Sequence, residues 1–399
     1  MKIATVRAVA VVVDRGDYSI ERSLGELKAL AETTEIDIIS EVVQQRASEN
    51  PASYIGTGKL EELCVTVSEL DADLVLVDDE ISAAQMNKIS ESTGVEVKDR
   101  TGLILEIFAR HADTSEGKLQ VEIAQLKYRL TRLAGSRTSL SRLGGGIGTR
   151  GPGETKLETD RRTIRNRIIN LEKKLKRVND RRQVTSKRRK KSGLPIISFV
   201  GYTNVGKSSL INALSGSDLA AKNLLFVTLD PAVRTFKFEN KKALLVDTVG
   251  FVERLPVHLV EAFKSTLSIM NESDLIIKVS DATDADWRNR LEITDKLIAD
   301  MGATDIEQIS VFNKCDLLNN DIQLPGIKVS AATGEGLERL CREMAKRLNA
   351  GRVKMKLTIP FEKTEEFHRM MSKGDIVSYE YTEGGIETVV EVEMKKQKY

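Results

Sequence analysis

The centre of the chain reads Gly201-Tyr202-Thr203-Asn204-Val205-Gly206-Lys207-Ser208. This octapeptide matches the phosphate-loop pattern G-x-x-x-x-G-K-[ST]. The apolar residues 194–200 before it predict a buried strand, and the residues from Ser209 onwards have the pattern of a helix. Because a glycine turn at a helix N-terminus points several backbone N–H groups at one anion, we predict that the loop and Ser209 bind nucleotide phosphates. Lys207 would reach the β- and γ-phosphates, and Ser208 would offer its hydroxyl to Mg²⁺.

A second motif, Asp247-Thr248-Val249-Gly250, ends an apolar stretch and has the form D-x-x-G. We predict that Asp247 holds Mg²⁺ through water and that the Gly250 N–H senses the γ-phosphate. Between the two motifs, a threonine should offer its hydroxyl to Mg²⁺ and its N–H to the γ-phosphate. Thr228 is the candidate, and Thr235 is the alternative, although its surroundings predict the start of the next strand. The expected catalytic residues are Lys207, Thr228 and Gly250; the expected metal-binding residues are Ser208, Thr228 and Asp247.

Base recognition is predicted from Asn313-Lys314-Cys315-Asp316, which ends another apolar stretch in the form N-K-x-D. An ionised Asp316 carboxylate only accepts hydrogen bonds, so it matches guanine N1–H and N2–H, whereas adenine would leave polar groups unpaired. Asn313 would brace the loop, and Lys314 would lie over the base. A backbone N–H within Ser330-Ala331-Ala332 would meet guanine O6. In this order, the motifs predict an α/β domain that binds and hydrolyses GTP.

Two further positions bear on hydrolysis. Phe251 stands where Ras-like GTPases place a water-orienting glutamine, so unaided hydrolysis should be slow and should be completed by a partner. Asn204 occupies a loop position that resembles the one in potassium-activated GTPases, where an asparagine oxygen helps to coordinate a monovalent cation. Asn204 could equally brace the loop, so K⁺ stays an alternative beside the expected Mg²⁺.

Length and composition limit the classes of protein to which this chain can belong. The 399 residues have room for two to four domains. No apolar run approaches the roughly 20 residues of a membrane helix, and the N-terminus lacks a signal-peptide cleavage pattern. The three cysteines are scattered, which favours neither a disulfide framework nor a zinc site. We therefore expect a cytoplasmic protein that has no membrane span, and we expect it to be a monomer.

The pattern predicts an α/β multidomain fold in four segments. Residues 1–113 alternate strand-like and helix-like stretches, which indicates a parallel α/β domain. Residues 114–192 are predicted to form an antiparallel helical hairpin, and residues 193–351 are predicted to form the Ras-like P-loop domain. Residues 352–399 are predicted to form a small α+β appendage of one strand, one helix and a strand hairpin. Within the first segment, Gly56-Thr57-Gly58-Lys59 predicts either a second phosphate site or a turn that feeds a helix.

The helical hairpin is predicted from two coiled-coil seams. Leucine and isoleucine recur at spacings of four and three from Leu119 to Leu133, and apolar residues recur every seven from Leu157 to Val178. Residues 118–191 hold 23 Lys/Arg against 6 Asp/Glu, although the net charge of the whole chain is only +2. A solvated helical face usually mixes signs, so this concentration favours a polyanionic partner. The connection, residues 134–154, is rich in glycine and arginine and is either a flexible linker or a loop that contacts RNA.

The similarity to one known family spans essentially the whole chain and is carried by six short stretches. They are Tyr54-Ile55-Gly56-Thr57-Gly58-Lys59, Asp99-Arg100-Thr101, Gly117-Lys118-Leu119-Gln120-Val121-Glu122, Gly151-Pro152-Gly153-Glu154, Thr228-Leu229-Asp230-Pro231 and Asp247-Thr248-Val249-Gly250-Phe251. In these stretches the chain resembles the HflX family of ribosome-associated GTPases. The resemblance implies a cytoplasmic GTPase that binds the large ribosomal subunit and dissociates stalled or idle ribosomes under stress. It also implies that the N-terminal region is inserted near the peptidyl-transferase centre. The basic hairpin would then bind ribosomal RNA.

A different class of function stays open. The basic hairpin could be the working part, an RNA-binding or RNA-remodelling module for ribosomal RNA or subunit assembly, with the nucleotide domain as a timer. Salt-dependent binding to ribosomal RNA without GTP would favour that alternative. An enzyme acting on a small substrate is not indicated, because the sequence shows no acid, base or nucleophile set outside the nucleotide motifs.

Overall fold

A computed structural model describes most of the chain, namely residues 5–135, 152–192, 194–216, 226, 232–238, 241–252, 254, 256, 259, 268–318, 322–348, 352–373 and 376–393. The chain divides into two compact units. The first contains residues 1–180 together with 222–230 and 250–266, and the second contains residues 181–221, 231–249 and 267–399. The predicted four-part domain division stays a prediction.

The first unit begins with a four-stranded parallel sheet in the order β2-β1-β3-β4. The six residues 8–13 of β1 have no exposed surface, which is typical of a central parallel strand that is covered on both faces. The strands are β1 (Val6–Asp14), β2 (Ile36–Gln45), β3 (Leu74–Val77) and β4 (Glu96–Asp99). The helices between and after them are α1 (Ile20–Thr33), α2 (Thr57–Glu69), α3 (Ala83–Thr93) and α4 (Arg100–His111).

Local capping explains where these helices start. The side chains of Ser19, Ser82 and Asp99 each accept a hydrogen bond from a backbone N–H in the first turn of α1, α3 and α4. The α4 helix and the short strand β4 before it were not predicted from the sequence. Asp99 ends that strand and caps that helix, so the strand-to-helix turn has no intervening loop residue.

The Gly56-Thr57-Gly58-Lys59 stretch has the geometry of a turn that feeds a helix. Gly56 is the N-cap of α2, and its N–H donates to Gln44 Oε1 at 2.8 Å. The Lys59 ammonium donates to both carboxylate oxygens of Glu62 at 2.8 Å. The lysine is thus bound to a carboxylate on its own helix.

Two long helices follow the parallel sheet along the chain. They are α5 (Ser115–Gly135) and α6 (Pro152–Ser192). Their apolar seams pack on each other as the heptad spacing predicts, and the residues in contact are Leu119, Ile123, Leu126, Leu130, Ile164, Ile168, Leu171 and Leu175. The connection between the two helices, including Arg137, Arg142 and Arg150, lies outside the described residues.

The second unit contains a six-stranded sheet in the order β10-β9-β8-β5-β7-β6, in which β6 alone runs antiparallel to its neighbour. Its strands are β5 (Ile196–Gly201), β6 (Ala232–Phe238), β7 (Lys241–Asp247), β8 (Leu275–Asp281), β9 (Gln308–Asn313) and β10 (Ile327–Lys328). Its helices are α7 (Lys207–Ser215), α8 (Trp287–Asp300) and α9 (Leu337–Leu348). Thr235 lies within β6, in agreement with its predicted place in a strand.

A small antiparallel sheet follows in the order β11-β13-β12. It consists of β11 (Arg352–Ile359), β12 (Ile376–Thr382) and β13 (Gly385–Glu393), and α10 (Thr364–Lys373) buries Phe367 against Ile359 and Ile386. The predicted α/β multidomain fold class is confirmed, from the parallel N-terminal sheet to this α+β segment. In the described part of the chain, no helix combines the length and the apolar character that a membrane crossing requires.

Candidate nucleotide-binding site

The phosphate loop lies between the end of β5 at Gly201 and the start of α7 at Lys207. Asn204 is exposed and has a φ of 61°, and Gly206 has a φ of 89°. Tyr202, Thr203 and Val205 are buried. A Cβ on Gly201 would come closer than 3.0 Å to the Val279 carbonyl oxygen on the neighbouring strand β8. The absence of side chains at the two glycines therefore lets the loop pack against the sheet and turn into the helix.

Lys207 is bound back onto this loop. Its ammonium donates to the carbonyl oxygens of Gly201, at 3.1 Å, and Tyr202, at 2.7 Å. Burial lowers the pKa of Lys207 to about 8, although the Asp247 carboxylate acts in the opposite direction. An ammonium has three N–H groups, so a phosphate oxygen can be bound in addition to the two carbonyls.

Ser208 and Asp247 meet at the end of β7. The Ser208 hydroxyl donates to Asp247 Oδ2 at 2.5 Å, and the Asp247 side chain is buried. A hydroxyl and a carboxylate that converge beside the phosphate loop are oxygen donors of the kind that Mg²⁺ takes. The residues present therefore fit a magnesium ion. Thr228, the third expected ligand, lies outside the described residues.

Asn313 joins the phosphate loop to the loops that are predicted to bind the base. Its amide Nδ2 donates to the Val205 carbonyl at 2.9 Å, and its Oδ1 accepts from the Ala331 N–H at 3.0 Å. A Cβ on Gly206 would come closer than 3.0 Å to Asn313 Nδ2. The buried Asn313 amide is thus hydrogen-bonded to both the phosphate loop and the loop after β10.

Lys314 and Asp281 form an ion pair that was not predicted from the sequence. Lys314 has a φ of 65°, and its ammonium lies 2.7 Å from Asp281 Oδ2. Burial opposes ionisation of Asp281, but Lys314 and Thr283 outweigh it and hold the pKa of this carboxyl below its usual range. One feature could have indicated this ion pair. Asp281 lies at the carboxyl end of the apolar strand β8, and the parallel pairing of β8 with β9 places it beside Asn313.

The remaining residues that are predicted to bind the base lie near the same edge of the sheet. Ser330 is buried, and its hydroxyl accepts from the Thr333 N–H at 3.1 Å. Ala331 is half-buried and Ala332 is exposed. Asp316 is exposed, in the 3-10 turn that follows Lys314. A carboxylate that is not fully buried here is accessible to a base.

Gly250 and Phe251 belong to the first unit, whereas the other described site residues belong to the second. The D-x-x-G motif is therefore divided between the units after Val249. The Phe251 ring is almost fully buried. A buried aromatic ring has no polar atom with which to orient an attacking water.

We expect nucleotide binding to be linked to protonation of Lys207. At pH 8 about half of the Lys207 side chains carry a proton, because the pKa is about 8. Bound phosphate stabilises the ammonium and raises this pKa, so binding of GDP should take up about half a proton at pH 8 and close to none at pH 6.5 to 7. Calorimetry at each pH in two buffers of different ionisation enthalpy counts the protons. Binding at pH 8 without proton uptake would contradict this assignment.

Three family models match successive parts of the chain. Residues 21–109 match "GTP-binding GTPase N-terminal", residues 111–189 match "GTP-binding GTPase Middle Region" and residues 196–314 match "50S ribosome-binding GTPase". The third match contains the phosphate loop, the D-x-x-G motif and the residues Asn313 and Lys314. The matched ranges run in order along most of the chain.

Whole-chain comparisons agree with these matches. The chain is 45% identical over 380 residues to "GTPase HflX" of Caldanaerobacter subterraneus subsp. tengcongensis, covering 93% of this chain and 88% of the relative. It is 38% identical over 347 residues to "GTPase HflX" of Escherichia coli K12, covering 84% of this chain and 82% of the relative. A solved structure of SsGBP in complex with GDP matches with a TM-score of 0.50 and 26% identity, covering 86% of this chain and 98% of that one. With this identity over nearly its whole length, the chain belongs to the GTPase HflX family.

Proposed function

We propose that this protein binds and hydrolyses GTP on the large ribosomal subunit and, as a cytoplasmic monomer, dissociates stalled or idle ribosomes under stress. The observation that carries the proposal is the amide of Asn313, which connects the phosphate loop to the base-binding loops in one guanine-type site. The ribosomal partner is supported by the match of residues 196–314 to a "50S ribosome-binding GTPase".

The residues of the predicted site bind the phosphates, the base or the metal ion in this proposal. Lys207 and the N–H groups of the loop and Ser209 bind phosphates, Gly250 and Thr228 contact the γ-phosphate, and Asp316 pairs with guanine. Ser208, Thr228 and Asp247, the last through water, would hold Mg²⁺, which when bound neutralises charge on the phosphate oxygens. Asn204 is exposed in the loop, where its side-chain oxygen could ligate K⁺.

The hairpin is the proposed contact with ribosomal RNA. On the described part of α6, the apolar seam faces α5, whereas Arg162, Arg165, Lys173, Lys174, Lys176 and Arg177 lie along the same helix and are mostly exposed. Two cross-helix ion pairs, Lys127 with Glu172 and Arg167 with Glu122, use few of the basic groups. A long rigid surface of lysine and arginine suits contacts with phosphates.

We expect ribosomal subunits to stimulate hydrolysis. Because Phe251 cannot orient water, the isolated protein should turn over GTP slowly, and large subunits should raise the rate at least about 10-fold, a barrier reduction of about 1.4 kcal/mol. Phosphate release is measured with and without large subunits. Co-sedimentation with a GTP analogue, GDP or no nucleotide, and light scattering of whole ribosomes, report binding and dissociation. Rapid hydrolysis that is indifferent to ribosomes would count against the proposal.

A matched pair of variants tests the contribution of the hairpin. The first replaces Arg162, Arg165, Lys173 and Lys176 by glutamine, and the second replaces Lys88, Lys237, Lys296 and Lys346, which lie outside the hairpin. The first should weaken subunit binding and reduce its dependence on salt. The slope of the logarithm of the binding constant against the logarithm of the salt concentration should become shallower by about 0.7 to 0.9 for each phosphate that the protein no longer neutralises. GTP binding should be unchanged in both. An equal weakening in the second variant would mean that general charge, not the hairpin, attracts RNA.

The charge of the hairpin also favours a second candidate function. In that case the hairpin binds or remodels ribosomal RNA during subunit assembly, and the nucleotide domain acts as a timer. Binding to naked ribosomal RNA that is equally tight with GDP, with a GTP analogue and without nucleotide would favour this alternative over ribosome dissociation.

A further inference from the structure

The carboxylate of Asp281 is held from two sides within the second unit. Its Oδ1 accepts from the Thr283 N–H at 2.9 Å and from the Thr283 hydroxyl at 2.6 Å. Its Oδ2 lies 2.7 Å from the ammonium of Lys314. The bonds to Oδ1 fix the orientation of the carboxylate, and Oδ2 binds the lysine. Asp281 therefore holds the end of the Lys314 side chain at a defined place.

This ion pair is partly shielded from water. The exposed fractions of the side chains are 28% for Lys314 and 15% for Asp281. Burial opposes ionisation of Asp281, but the hydrogen bonds from Lys314 and Thr283 outweigh it and hold the pKa of this carboxyl below its usual range. Asp281 is therefore charged at neutral pH, and its attraction for Lys314 is screened less than that of a fully exposed pair.

The other end of the Lys314 side chain is fixed by the backbone. Lys314 has a φ of 65° and a ψ of 32°, a left-handed conformation that is unfavourable for a residue with a Cβ. Hydrogen bonds on both sides hold it there. The Ala282 N–H donates to the Asn313 carbonyl at 2.7 Å, and the Cys315 N–H donates to the Val329 carbonyl at 3.1 Å. With its Cα and its ammonium both held, the lysine has little freedom in the methylene stem between them.

The order of the strands shows where this stem runs. The phosphate loop follows β5, Asp281 ends β8 and Asn313 ends β9. β8 lies between β5 and β9 in the sheet. In the proposed function, a nucleotide extends from the phosphate loop to the loops that bind the base, so it passes the carboxyl end of β8. The stem of Lys314, which runs from the end of β9 to Asp281, lies alongside that path.

We propose that Asp281 is a positioning residue for guanine nucleotides, which holds the stem of Lys314 extended as one wall of the base site. The inference rests on the proposed function, in which Asp316 pairs with guanine. Asp281 acts through the lysine, because the ion pair removes rotamer freedom that a long side chain would otherwise lose when the nucleotide binds. A wall of methylene groups contacts the faces of all purines alike, so it contributes affinity without selecting the base.

The test compares the affinity for GDP with and without this ion pair. If an unpaired Lys314 covers the base only about a fifth of the time, Asp281→Asn should weaken GDP binding about 5-fold. Asp281→Glu keeps the charge and should weaken binding less. Thr283→Val removes the hydroxyl that donates to Asp281 but keeps the N–H, so it should also cause a smaller loss. Titration with a fluorescent GDP measures each affinity.

A double variant separates positioning from a general loss of structure. Lys314→Met keeps an apolar stem but has no ammonium for Asp281 to hold. In that background, Asp281→Asn should cause no further loss of GDP affinity, whereas damage to the loop itself would add to the loss. The preference for GDP over xanthosine diphosphate should be the same in Asp281→Asn as in the unsubstituted protein, because Asp316 still pairs with the base.

The matched control is Asp295→Asn. Asp295 of α8 forms an ion pair of the same length, 2.7 Å, with Lys278 of β8. This pair joins the same strand to a helix and does not involve the residues of the predicted site. The control variant removes the same charge from the same unit and should leave GDP affinity unchanged.

Three outcomes would overturn the inference and leave the proposed function in place. They are an unchanged GDP affinity in folded Asp281→Asn, an equal weakening in Asp295→Asn, and a further loss when Asp281→Asn is added to Lys314→Met. If Asp281→Asn does not fold, an unchanged GDP affinity in both Asp281→Glu and Thr283→Val has the same consequence. If the unsubstituted protein binds no guanine nucleotide, the proposed function is wrong and the inference is wrong with it.

Discussion

Replacing Asp316 by asparagine is expected to weaken GTP binding about 100-fold, or about 2.7 kcal/mol, and to favour xanthosine triphosphate. The accessible carboxylate offers acceptors to both guanine N1–H and N2–H. An asparagine keeps one acceptor for N1–H but sets an NH₂ against the N2–H of guanine. Xanthine carries a carbonyl oxygen at that position, which accepts from the NH₂. Competition of a labelled nucleotide with GTP and with xanthosine triphosphate measures the two affinities.

The control for this exchange is Asp305→Asn, an equally isosteric change at an exposed aspartate in the loop between α8 and β9. It removes the same charge from the second unit and should leave both affinities unchanged. If Asp316→Asn retains full GTP affinity, Asp316 does not read the base.

Replacing Gly206 by alanine is expected to reduce GTP and GDP affinity at least about 100-fold. The new methyl group would overlap the Asn313 amide, which donates to the Val205 carbonyl at 2.9 Å. Gly206 also has a φ of 89°, where a Cβ costs about 1 to 2 kcal/mol. The phosphate loop and the loop of Asn313 would then move apart. The Asn313 amide would be buried without its Val205 partner, which costs about a further 1 to 3 kcal/mol. Titration with a fluorescent guanine nucleotide measures the decrease.

Gly216→Ala is a matched control for this variant. Gly216 ends the same helix, α7, with a φ of 65°, but a Cβ there meets nothing within 4 Å in the described structure. It should lower the unfolding temperature through backbone strain alone and leave nucleotide affinity within about a factor of two. An equal decrease in binding in both variants would assign the effect to strain in α7 and not to the contact with Asn313.

The parts of this protein that follow from local pattern were predictable from the chain. The phosphate loop, with a strand before it and a helix after it, is a run of consecutive residues, and each residue type suits its own backbone position. The hairpin seam is equally local, because heptad spacing places Ile164, Ile168, Leu171 and Leu175 on one face of α6. The short strand β4 was missed, since only one of its four residues, Val97, is apolar, whereas all four residues of β3 are.

The partners of these local elements depended on which strands are neighbours in space. Asp281 meets Lys314 because β8 and β9 pair in a register that sets Asp281 beside Asn313. Arg254 and Asp78 lie 176 residues apart, and no spacing in the chain connects them. An arginine and an aspartate attract at any separation in sequence, so composition cannot select one pair among many. Only the tertiary structure brings the Arg254 guanidinium to Asp78 and Asp79, and the full burial of Asp78 makes that pairing specific.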